Sequence, residues 1–155
     1  MNNNDGKITP NQVQQFQSLI TKLYQCCSER MQYQSERFGL PDAELRCLMH
    51  FGDERYLTAS SIAYKLNVVK SRVTRIINGL EHKGLIQRVK DPEDSRVTLL
   101  RLTPEGTRKL EEIKIFISDL HYEILSQMPP LQRKALLDDL DLLKNSMEAV
   151  KEMMV

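Results

Sequence analysis

Six side chains with polar ends recur in the run KSRVTRIIN: Lys70, Ser71, Arg72, Thr74, Arg75 and Asn78. Between and just beyond them lie Val73, Ile76, Ile77 and Leu80, apolar and at helical spacing. A helix of 3.6 residues per turn sends the two sets to opposite faces. One face packs. The other offers two guanidiniums, an ammonium, two hydroxyls and a carboxamide. That set suits nucleic acid. An arginine fork matches guanine O6 and N7, and a carboxamide matches adenine. Lysine and short hydroxyls suit phosphate oxygens. Arg72 or Arg75 is the expected base reader, with Lys70 and Ser71 on the backbone. The competing reading of Arg75 is an ion pair with Glu81 or Asp94.

A second basic group follows. Arg88 and Lys90 precede the polar run DPEDSR, which ends in Arg96. Leu85–Lys90 and Val97–Leu102 read as two strands joined by that turn, with Val97, Leu99 and Leu102 facing inward and Arg88 and Lys90 outward. A guanidinium on a narrow hairpin can enter a minor groove and read its width. Asp91, Glu93 and Asp94 would repel phosphate, so each must be paired or turned away.

The elements that position these groups are legible on either side. Thr58 to Leu66 reads as a short helix with Ile62, Ala63 and Leu66 inward, and Asn67 suits the tight turn after it. The basic helix spans about Val69–Lys83 and stops at Gly84. Helix, turn, basic helix and hairpin are the layout of a winged helix-turn-helix. Upstream, Pro10–Phe38 reads as one long helix, with Val13, Phe16, Ile20, Leu23 and Cys27 spaced 3, 4, 3, 4. Gly39 stops it. Asp42 is placed to cap a helix reaching Gly52, with Leu45, Leu48 and Met49 inward. Thr103-Pro104-Glu105 is a helix start, and that helix runs to about Met128. Pro129-Pro130 breaks it, and a last helix reaches about Met153.

The fold class is therefore mainly α with a small two- or three-stranded β wing. The expected division is a winged DNA-binding domain at 39–103, and a helical dimerisation region at 10–38 and 104–155. Residues 1–9 are expected to be flexible. The first and last two long helices carry near-heptad apolar stripes. Three such helices hold more apolar surface than one small domain covers, so a second copy of the chain is the expected partner.

Composition sets the outer bounds. The chain has 155 residues and a formal net charge of +1. That charge is unevenly placed. Residues 65–101 hold nine Lys/Arg against four Asp/Glu, a net of +5, and the rest holds thirteen against seventeen, a net of −4. A local field of this kind draws phosphate. No apolar run nears the roughly 20 residues of a membrane span, and the first residues lack a signal-peptide pattern. A cytoplasmic protein with no membrane partner is expected. Cys26, Cys27 and Cys47 are an odd set for a disulfide scaffold and fit a reducing compartment. Cys47 and His50 stand three apart without further ligands, so no metal site is expected. Neither is a cofactor. No GxSxG, phosphate-cradling glycine loop or HExxH is present, and no enzyme is read.

The stretch LTASSIAYKLNVVKSRVTRIINGLEHKGLIQRVKDPEDSRVTLLRLTPEGTRKL resembles the MarR family, the multiple-antibiotic-resistance-type bacterial regulators. KSRVTR followed by LEHKGLI is similar to the family's recognition helix and its exit. DSRVTLLRLTPEG is similar to its wing, second strand and next helix. Val69 departs from the Ser or Asp that often starts this helix. It leaves the first N–H groups to Ser71 or to phosphate oxygens. The resemblance implies a homodimer on a pseudo-palindromic double-stranded DNA operator. It implies a transcriptional repressor released by a small-molecule effector or, less favoured, by cysteine oxidation. It implies that Asp94 orients Arg96, from the family's D-x-R pattern. It offers Cys26, Cys27 and Cys47 as redox candidates, against the preferred reading of small buried hydrophobes. The alternative of another class is a helical adaptor or RNA-binding protein that uses the same basic domain.

Overall fold

Thr9 begins the first helix with a reciprocal cap. Its hydroxyl accepts from the Gln12 N–H, and the Gln12 side chain accepts the Thr9 N–H. In this computed structural model, which describes residues 6–154, α1 then spans Pro10–Phe38 and closes on Gly39 at φ 64°. Residues 1–5 of the expected flexible start lie outside the described residues, and Thr9 belongs to the helix cap.

α2 covers Asp42–His50 and ends earlier than Gly52. Pro41 takes the cap position and makes no side-chain cap bond. Asp42 therefore stands in the first turn, where its charge meets the positive end of the helix dipole. It is not the cap expected from the sequence. Leu45, Cys47 and Leu48 are the buried apolar positions, and Met49 is only half-buried.

α3 (Ala59–Leu66) opens on a Thr58–Ser61 capping box and closes on Asn67 at φ 52°. α4 (Lys70–His82) follows after Val69, which provides no side-chain cap. Val73, Ile76, Ile77 and Leu80 are buried, as the spacing predicts. Gly84 takes a positive φ of 69° just past the helix end.

β1 (Ile86–Lys90) pairs antiparallel with β2 (Thr98–Leu102), Arg88 opposite Leu100 and Val89 opposite Leu99. Leu57 adds an isolated bridge, its N–H and C=O bonding Leu100 at 2.9 and 2.8 Å. Leu100 is the buried residue of β2, whereas Val97, Leu99 and Leu102 are half-buried. The inward phase expected for Val97 and Leu99 is thus off by one residue, while Leu102 shares the face of Leu100 as expected. The adjacent leucines of VTLLRL leave period-2 reading ambiguous, and a one-residue slip exchanges the faces.

α5 (Pro104–Ser126) is capped by the Thr103 hydroxyl, which accepts from the Gly106 N–H at 3.0 Å and donates to the Gly84 carbonyl at 2.6 Å. Gly106 is required there. A Cβ would collide with the Leu85 carbonyl oxygen.

The described chain forms two compact units that meet in sequence between Leu110 and Glu111. The first holds α1 to β2 and the opening turns of α5. Leu40, Leu48, Leu57, Ile62, Val73, Leu80, Ile86 and Leu100 are among its fully buried side chains. The second holds the rest of α5, then α6 (Pro130–Met153). Arg133 Nε donates to the Met128 carbonyl at 2.8 Å across the proline break. α6 has no buried residue.

Candidate nucleic-acid interface

The core side of α4 fixes what its outer side can present. With Val73, Ile76, Ile77 and Leu80 inward, Lys70, Ser71, Arg72, Thr74, Arg75 and Asn78 are all exposed. The expected face therefore exists as one surface. Thr74 returns its hydroxyl to the Lys70 carbonyl at 3.3 Å, which leaves that oxygen's lone pairs toward solvent. Arg72 and Arg75 stand three residues apart on neighbouring positions of the helix. Arg75 does not take the ion pair weighed against it, since Glu81 is occupied by Arg88 and Asp94 by Arg96.

α4 starts bare. Its first intrahelical bonds are made by the Arg72 and Val73 N–H groups to the Val69 carbonyl. The N–H groups of Lys70 and Ser71 are the orphan donors at the positive end of the helix. An anion suits that end. Beside it, a cleft of about 440 Å³ runs between the start of α2 and α4, lined by Pro41, Ala43, Glu44, Ser71, Arg72, Arg75 and Ile76.

The hairpin tip is held by its acids. Asp91 Oδ1 accepts from the Glu93 N–H at 2.8 Å, and Asp94 Oδ1 from the Arg96 N–H at 3.0 Å. The same Asp94 oxygen lies 3.4 Å from Arg96 Nε, while the Arg96 side chain remains 92% exposed. Asp94 thus closes the turn and lies within ion-pair distance of the guanidinium. Lys90 is exposed on β1. On the other strand face, Arg101 and Gln87 pair across β1 and β2 once the Gln87 amide oxygen is turned to the guanidinium.

Arg88 behaves differently from the free cation expected. Its Nε donates to Glu81 Oε2 at 3.0 Å and its Nη2 to Asn78 Oδ1 at 2.9 Å. The residue ties the hairpin to α4. A further tie lies on the other flank of α4. Lys83 Nζ donates to Glu44 Oε2 at 2.7 Å, and the Glu44 side chain is only 10% exposed. Glu44 lies over Gly79, where a Cβ would overlap its carboxylate. Sequence reading did not find Glu44, Lys83 or Gly79. A glycine inside a helical pattern is a signal of close approach, and Gly79 was that signal.

The cysteines divide. Cys47 is fully buried, and burial with Glu44 nearby pushes its thiol pKa up to about 12. Such a thiol is the wrong species for redox sensing, because the thiolate is the nucleophile. Cys47 is therefore withdrawn as a redox candidate. Cys26 and Cys27 are exposed in the single chain. Among the described residues no cluster of three His, Cys, Asp or Glu could hold a metal ion, and no helix is long and apolar enough to cross a membrane.

Residues 40–98 match the MarR family model, which spans α2 to the first residue of β2. BilQ of Clostridioides difficile, an HTH-type transcriptional regulator, is 30% identical over 105 residues, 68% of this chain and 71% of BilQ. The chain belongs to the MarR family. MdtR of Bacillus subtilis, an HTH-type transcriptional repressor, is 35% identical over 98 residues, and the match spans 63% of this chain and 63% of MdtR's own length. In fold, the chain is similar to MepR of S. aureus in a MepR–DNA complex, with a TM-score of 0.67, 20% identity, 84% of this chain covered and 98% of that one. MarR-family proteins are DNA-binding transcription regulators and not enzymes, and the fold here is their winged helix-turn-helix.

Proposed function

We propose that this MarR-family chain is a sequence-specific regulator of double-stranded DNA that binds a pseudo-palindromic operator as a homodimer and acts as a repressor in the cytoplasm. The observation that carries the reading is the α4 surface. Lys70, Ser71, Arg72, Thr74 and Arg75 are exposed together on one helix whose opposite side is buried. In this reading Arg72 and Arg75 meet base edges in the major groove. Lys70, Ser71 and the uncapped N–H groups of α4 take phosphates. Lys90 lies along the backbone, and Arg96, steered by Asp94, enters the minor groove. The repressor sense follows MdtR, a relative named as a repressor.

The homodimer is supported by apolar surface that the chain does not cover itself. Phe16, Leu19 and Leu23 on α1 and Leu137, Leu140, Met147 and Val150 on α6 are all exposed. A helix as amphipathic as α6 gains its stability from packing and not from propensity. A second copy supplies that packing symmetrically. We assign release of DNA to a small-molecule effector. A compound in the cleft between α2 and α4 would touch Ser71, Arg72 and Arg75, three of the proposed contacts.

The test is selection of bound sequences from random duplex DNA, followed by titration of the winner at several salt concentrations. The expected result is an inverted repeat, bound by a dimer, with log affinity falling by about 0.9 per log salt for each phosphate neutralised. Equal binding of all duplexes, or preference for single-stranded RNA, would replace this reading with an adaptor or RNA-binding one.

A further inference from the structure

Arg88, Glu81 and Asn78 form a closed set. Asn78 and Glu81 are three residues apart on α4 and share a face. Arg88 reaches them from β1, with Nε on Glu81 at 3.0 Å and Nη2 on Asn78 Oδ1 at 2.9 Å. A guanidinium has five donors and no acceptor. The Asn78 atom that faces it must therefore be the carbonyl oxygen, which settles the orientation of the amide. The end of the amide turned away from Arg88 is the nitrogen with its two N–H groups, while the oxygen keeps one further lone pair. The fork holds Arg88 at two points, so the amide is turned before any DNA arrives.

This bears on what Asn78 can read. An asparagine reads adenine by using both ends of its amide, accepting from N6 and donating to N7. With one of the oxygen's two lone pairs held by Arg88 and the oxygen turned toward β1, the end of the amide facing away is the N–H2 donor. Guanine offers two acceptors in the major groove, N7 and O6, whereas adenine sets its N6 amino group beside N7. A donor facing N6 meets another donor. We propose that Arg88 is a positioning residue that fixes the Asn78 amide as a donor, so that Asn78 selects guanine over adenine at the base step it faces. The inference rests on the reading of the α4 face as the DNA-reading surface. It assigns Arg88 a role away from the phosphate backbone, and gives Asn78 the opposite preference from a free asparagine.

The experiment is a binding profile over every single-base variant of the selected operator, at one salt concentration, for wild type, N78A, R88M and E81A. Arg88 and Glu81 are both about half exposed, and circular dichroism of each variant checks the fold. Wild type is expected to prefer guanine to adenine at one step of each half-site by on the order of tenfold. N78A flattens that step alone. R88M frees the amide and raises adenine to guanine's level or above. E81A removes one anchor of Arg88 and moves the same step in the same direction by less. An R88M and E81A pair with wild-type profiles overturns the proposal, and so does an N78A profile unchanged at every step. Should R88M fail to fold, E81A alone decides by the same criterion. A wild-type protein with no base preference anywhere would instead overturn the underlying reading of α4, so the two failures are separate.

Discussion

Lys83→Ala should destabilise the protein more than Glu44→Ala, although both remove the same ion pair. The pair joins α2 to the end of α4 at 2.7 Å, with the Lys83 side chain 35% exposed and the Glu44 side chain 10% exposed. After Glu44→Ala, the ammonium swings into water and recovers its hydration. The loss is then about one charge-assisted hydrogen bond, discounted for exposure, or ~1 kcal/mol. After Lys83→Ala, the carboxylate stays enclosed against Gly79 with its partner gone. An unpaired charge in that position costs about 2–3 kcal/mol. Gly79→Ala is the third corner. At an ordinary helix position it would stabilise by ~1 kcal/mol. Here the added Cβ overlaps the Glu44 carboxylate, the far end of a flexible side chain that must shift, so most of that gain should be lost, and Glu44→Ala should restore it in the double variant. Urea unfolding at pH 7 with a common slope reads all four proteins. Equal losses for Lys83→Ala and Glu44→Ala would refute the asymmetry. A full helix-position gain for Gly79→Ala, unchanged by Glu44→Ala, would refute the close approach itself.

Other outcomes follow from the same structure. Arg96→Ala should weaken operator binding and reduce the salt slope by about one unit for each phosphate that the guanidinium neutralises. Unfolding should be unchanged, because the side chain pairs with Asp94 and is otherwise in solvent; an identical slope and affinity would place the hairpin tip off the DNA. A maleimide reagent at pH 7.5 should leave Cys47 unlabelled until the protein is denatured. The Cys47 thiol, at about 12, holds almost no thiolate below pH 10, and rapid native labelling at Cys47 would contradict that burial. Ending the chain after Met128 removes α6 and should convert a dimer to aggregate or monomer in sedimentation. A soluble, folded dimer of the shortened chain would show that α6 is not part of the interface. Arg72→Ala and Arg75→Ala should each relax preference at one base step by about 1–3 kcal/mol, and Lys70→Ala should lower affinity for all sequences alike; a base preference unchanged in both arginine variants would refute their role as readers.

Period, caps and breakers made most of the elements legible. Pro10, Gly39, Thr58, Thr103 and Pro130 each exclude or stabilise a backbone conformation through local chemistry, and each marks an element end in the structure. The outer face of α4 was legible for the same reason, since four apolar residues at 3.6 spacing leave only one side for the rest. What escaped was long-range. Glu44 and Lys83 are 39 residues apart, and no local rule says that an acid in α2 lies beneath a glycine in α4. The phase of β2 escaped because two adjacent leucines satisfy either face, and only the Leu57 bridge to Leu100 breaks the tie.

The two ties on α4 explain why the face proposed to read DNA can be exposed and still be well placed. An arginine on a mobile helix would spend binding energy on ordering that helix, and only the surplus appears as affinity. Here one flank of α4 is held to α2 through Glu44 and Lys83, and the other to β1 through Glu81, Asn78 and Arg88. Between them stand Arg72 and Arg75, whose own side chains remain outward. The acids that looked out of place in a basic segment fit the same logic. Glu81, Asp91 and Asp94 direct their charge inside the protein, onto Arg88, the Glu93 N–H and Arg96. Each one spends a carboxylate oxygen on a donor of the protein itself. Three of the four acids in this segment of net +5 are thus engaged within the protein, and the fourth, Glu93, is exposed.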